Sequence, residues 1–142
     1  MEQIDEVMAR LRLLLAQVAQ RREQTLGLQR QFERQMERVT GYGSYGEIDL
    51  AQLLALMADL EDKLQEVGKT LSHLSRIESR AKAELESLEL TKMIEQAKVE
   101  VATLESQPSL DPEQRARVKS LRRLISEASE AAGRRIASKE KI

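Results

Sequence analysis

The chain has 142 residues, a net charge of −1, 33% charged and 41% hydrophobic residues, only 2% aromatic residues and no cysteine. That length suits one domain, and the abundant Leu, Ala, Glu, Gln, Arg and Lys favour long helices over an α/β fold. The composition excludes disulfides and thiolate chemistry, and it is too poor in bulky rings for a thick core.

The opening stretch MEQIDEVMARL combines acidic charges with periodic apolar positions. It reads as the start of a helix and not as a signal peptide. No apolar run approaches the roughly 18 residues that a membrane span needs. A soluble, cytoplasmic protein is therefore the expectation.

Helix 1 is expected over about residues 2–39. Along it Ile4, Val7, Leu11, Leu14, Val18, Arg21, Thr25, Leu28, Phe32, Gln35 and Val39 follow a 3-4 repeat broken only by Arg21, Thr25 and Gln35. Such a stripe marks a coiled-coil seam.

The segment GYGSYG, residues 41–46, matches G-x-G-x-x-G. A dinucleotide fingerprint, however, follows a strand and opens a helix, and here a helix precedes it. The segment is read as a helix–helix turn, with Gly41 ending helix 1 in the left-handed conformation. Tyr42 and Tyr45 then become candidate partner contacts at that turn, since tyrosine suits interfaces.

Helix 2 is expected over about residues 48–107. Asp49 is its N-cap, Gln52 completes a capping box, and Ile48 and Leu53 occupy the hydrophobic-staple positions. Its seam begins Leu50, Leu53, Met57, Leu60, Leu64, Val67, Leu71, Leu74. Folding at the glycine turn sets Val39 beside Leu50, Phe32 beside Met57, Thr25 beside Leu64, and Leu14 beside Leu74. The paired numbers sum to a constant 88 or 89. Arg21 falls opposite Val67 and Gly68, where the glycine is expected to make room for it. Over residues 75–94 the stripe of helix 2 changes phase, which reads as a stutter.

QPSLDP holds both prolines and forms the second turn, about 108–111. Asp111 caps helix 3, expected over about 112–140, with Pro112 at its first position and Gln114 closing a second box. Val118, Leu121, Ile125, Ala128 and Ala132 answer a new stripe on helix 2, Ile94, Ala97, Val101 and Leu104. The predicted fold is all-α: an elongated antiparallel coiled coil of three helices in a single domain. The long central helix 2 carries helix 1 on its first half and helix 3 on its second half.

Some apolar residues are left over. Met8, Leu15 and Met36 lie one position beyond the helix 1 seam, and Leu13, Leu26, Leu54, Leu56, Leu90, Met93 and Val99 lie elsewhere. They make a homo-oligomer the expectation, with a dimer favoured, and Met8, Leu15 and Met36 its candidate contacts.

Chemistry is hard to place on this chain. His73 is the sole histidine, and position 70, where the Glu of a di-iron helix pair would stand, is Thr70. No nucleophile elbow is present, so no enzyme, no metal and no cofactor is expected. From residue 113 on, nine Lys/Arg face four Glu, whereas residues 48–107 carry twelve acids and seven bases. Arg122, Arg123, Arg134 and Arg135 thus form a candidate basic patch for nucleic acid or an anionic membrane. The alternative is that basic helix 3 complements acidic helix 2. The expected function is protein–protein association as adaptor, spacer or assembly scaffold. The alternatives are a helical escort for a partner's amphipathic segment, and anion binding through helix 3.

Overall fold

A computed structural model gives the backbone of residues 2–46 and 49–140, and side chains for these except residues 2, 42–45 and 135–140. The described residues form three helices and no strand: α1 (Glu2–Tyr45), α2 (Leu50–Glu105) and α3 (Pro112–Glu140). The all-α fold and the antiparallel packing of α1 and α3 on α2 are as the periodicity predicts. The chain divides into two compact units, one of Arg12–Lys82 and one of Met1–Leu11 with Ala83–Ile142.

Helix ends follow local chemistry. At α2, the Gln52 N–H donates to Asp49 Oδ1 at 2.8 Å and the Leu53 N–H to the Asp49 carbonyl at 3.0 Å. At α3 the box is reciprocal: the Gln114 N–H donates to Asp111 Oδ1 at 2.8 Å, and the Asp111 N–H to Gln114 Oε1 at 3.1 Å. These bonds satisfy N–H groups that the helix itself leaves without partners. Ile48, half of the expected staple, lies outside the described residues.

The glycine segment differs from expectation. α1 runs through Gly41 and Gly43 to Tyr45, and Gly46 takes the left-handed conformation at φ 70°. A helical glycine costs only about 1 kcal/mol relative to alanine, too little to end a helix whose other residues favour continuing.

This longer helix moves the turn and therefore the register. Lys63 Nζ sits 5.8 Å from the centre of the Phe32 ring, where the expected neighbour was Met57. Arg22 pairs with Glu78, well beyond the Val67–Gly68 site expected beside Arg21. Val39 shares a groove with Leu56 and Leu60, while its expected neighbour Leu50 is 68% exposed. A turn centre moved by about four residues moves every partner by about eight, roughly one heptad, so the seam stays in phase.

The seam of α1 is also rotated. Met8 is 4% exposed and Val7 37%. Leu15 is more buried than Leu14, Arg22 more than Arg21, and Gln29 more than Leu28. The inward series is Ile4, Met8, Leu11, Leu15, Val18, Arg22, Thr25, Gln29, Phe32, Met36, Val39, again a strict 3-4 repeat. Arg21 is exposed, and a side chain at Gly68 would meet nothing within 4 Å, so that glycine makes no room for it.

α2 does not stutter. Its first inward series continues unbroken through Leu74, Glu78, Ala81, Leu85, Leu88 and Lys92, leaving Ile77 exposed. A second series, Ala83, Ser87, Leu90, Ile94, Ala97, Val101 and Leu104, starts before the first has ended. The apparent phase shift is the superposition of two regular faces. Within the unit of residues 1–11 and 83–142, the first face meets α1, where Lys92 pairs with Asp5 at 2.5 Å. The second face meets α3, where Arg117 grips Glu100 through two bonds of 2.9 and 3.2 Å. On α3 the inward residues are Val118, Leu121, Ile125, Ala128 and Ala132, as expected.

Candidate interaction surface

Within the Arg12–Lys82 unit, α1 and α2 leave a groove along one side of their seam. Its floor is the buried pair Thr25 and Val67, with Phe32 beside them. Its walls are Arg21 and Leu28 from α1, and Asp62, Glu66 and Thr70 from α2. Lys63 links it to a second stretch walled by Arg38 of α1 and by Leu56 and Asp59 of α2.

Heptad geometry explains the groove. Leu14, Arg21, Leu28 and Gln35 recur every seven residues, immediately before the inward positions 15, 22, 29 and 36. Leu56, Lys63, Thr70 and Ile77 stand in the same relation to 57, 64, 71 and 78 on α2. In an antiparallel pair, equivalent flanking positions of the two helices meet on one side. Leu14, Leu28, Leu56 and Ile77 are all exposed large hydrophobic residues. The side of the groove is thus apolar at four places, beside a seam in which, among the described residues, no large side chain is fully buried.

Its charges are segregated. The α1 wall contributes Arg21 and Arg38 and no acid, whereas the α2 wall contributes Asp59, Asp62 and Glu66 against Lys63. Lys63 is paired with Asp59 at 2.9 Å and Lys69 lies 3.4 Å from Glu66.

The expected contact residues are distributed differently. Met8 is buried inside its own unit, and Leu15 and Met36 are half-buried in the seam. They face the α1–α2 seam, because the seam is rotated onto them. The side chains of Tyr42 and Tyr45 lie outside the described residues, and their backbone is the last turn of α1. Sequence reasoning assigned Leu14 and Leu28 to the seam and so missed them as surface residues. Leu56 was already among the apolar residues left over.

The basic patch of α3 is partly engaged. Arg122 pairs with Glu105 of α2, and Arg123 Nε bonds Glu127 Oε1 of its own helix at 3.1 Å. Arg134 is exposed, and the side chain of Arg135 lies outside the described residues. The Arg117 guanidinium holds the Glu100 carboxyl below the usual carboxylate range, and Glu100 in turn raises Arg117. Glu78 is likewise lowered, first by its hydrogen bond to Lys82 and then by that to Arg22. Among the described residues no helix is long and apolar enough to cross a membrane. His73 is exposed on α2.

No known protein family matches this chain, and no curated protein or solved structure matches it significantly.

Proposed function

We propose that this chain is non-catalytic and works through protein–protein association, as an adaptor, spacer or assembly scaffold. The observation that carries the reading is the groove side of the Arg12–Lys82 unit, where Leu14, Leu28, Leu56 and Ile77 stand exposed beside a thin seam. Apolar side chains gathered on one face, rimmed by charge, characterise interaction surfaces. Glu100–Arg117 and Glu105–Arg122 support reading α3 as the complement of α2 rather than as a nucleic-acid face. The cysteine-free composition supports a cytoplasmic setting.

The test is affinity purification of tagged chain from its native host, with Leu28→Glu and Leu56→Glu variants run in parallel. The reading expects co-purifying protein that the groove variants lose. Recovery of nucleic acid or lipid in its place, abolished by Arg122→Gln with Arg134→Gln, would favour the anion-binding alternative. Equal protein recovery by wild type and groove variants would remove the groove from the account.

A further inference from the structure

We infer that the groove of the Arg12–Lys82 unit is covered by the same groove of a second copy, α1 of each copy lying against α2 of the other. This deepens the association reading and rests on it. Two hairpins stacked on this side form a four-helix arrangement, in which Leu14, Leu28, Leu56 and Ile77 leave water.

The charges select both the occupant and its orientation. A symmetric dimer must present the same patch twice. Two face-to-face stackings satisfy that condition. With the two-fold axis running across the helices, α1 lies on α1 and α2 on α2. Arg21 and Arg38 would then face arginines, and Asp59, Asp62 and Glu66 would face acids. With the axis running along the helices, the arginine wall of each copy meets the acidic wall of the other, twice over. Like-charge juxtaposition disfavours the first arrangement and opposite charge favours the second.

Register supports the second arrangement independently. Arg22–Glu78 and the Lys63–Phe32 contact show which parts of α1 and α2 lie at one height. On that register Arg38 stands level with Asp59. Arg38 of each copy would meet Asp59 of the other without axial slip. The same patch therefore complements itself in charge.

Sedimentation equilibrium of the full chain at micromolar concentrations tests this. Wild type should show twice the 16.1 kDa chain mass. Leu28→Glu and Leu56→Glu should weaken the dimer at least about tenfold while helical circular dichroism is retained. Leu13→Glu, at an exposed site of α1 outside the groove series, should leave it unchanged. Arg38→Glu and Asp59→Arg should each weaken the dimer, and the two together in one chain should restore it. A monomeric wild type overturns the inference but leaves association with a different protein standing. A dimer indifferent to Leu28→Glu, equally sensitive to Leu13→Glu, or not restored by the double charge swap overturns it as well.

Discussion

Thr25 is the one buried polar side chain among the described core residues, at 4% exposure. Its hydroxyl donates to the Arg21 carbonyl at 2.7 Å, so burial leaves it satisfied. That carbonyl belongs to the helix in any case, and a back-bonding threonine adds little to helix stability. Thr25→Val should therefore change stability by less than about 1 kcal/mol in urea unfolding, in either direction. Met8 and Val7 give a sharper contrast. Met8→Ala empties a buried site and should cost about 2–3 kcal/mol, whereas Val7→Ala should cost under about 0.5 kcal/mol. The sequence alone suggested the reverse. Val7, Leu14 and Leu28 on one flank and Met8, Leu15 and Met36 on the other each supply three apolar residues to a 3-4 repeat. Both series break at polar positions, Arg21 and Gln35 in one, Arg22 and Gln29 in the other. Periodicity locates such a wide apolar arc but does not choose its centre. The choice depends on where the partner helix lies, which a single helix does not encode.

At the scale of elements, the caps and the α2–α3 pairing were legible because their signals are local or unambiguous. Asp111, Pro112 and Gln114 start α3 where expected, with a complete capping box. Asp111→Ala should destabilise α3 by about 1 kcal/mol, seen as a loss of helicity on mild heating. The α1–α2 register was less legible, because Gly41 looked like a stop and α1 runs on to Tyr45. Shifting the turn slides the pairing by about one heptad without disturbing the periodicity, so the pattern of apolar residues alone does not detect it. Paired cysteines detect it directly. Residues 22 and 78 should join within one chain through a short thiol cross-linker, whereas 14 and 74 should not. The ion pairs between helices add a pH dependence. Glu78 and Glu100 titrate lower when folded than unfolded, so their contribution is present above the ordinary carboxylate range. It is lost as pH falls through the lowered folded values. Glu100→Gln should consequently weaken the fold at neutral pH, and its difference from wild type should shrink on acidification.

For the molecule as a whole, the account rests on which side of the α1–α2 hairpin is closed and which is open. The sequence pattern points to surplus apolar surface but places it on Met8, Leu15 and Met36, which the rotated seam absorbs. The open residues are Leu14, Leu28, Leu56 and Ile77, beside walls of opposite charge. The chain has no cysteine of its own, so single engineered thiols report each position without interference. The most direct measurement is the labelling rate of single cysteines at positions 7, 8, 13, 18 and 28, taken across a range of protein concentrations. Positions 8 and 18 should label slowly at every concentration, position 7 faster than 8, and position 13 fast throughout. Position 28 should label fast in dilute protein and slowly in concentrated protein, as the second copy covers the groove. A position 8 that labels faster than 7 would contradict the rotated seam, and a position 28 indifferent to concentration would contradict the paired groove.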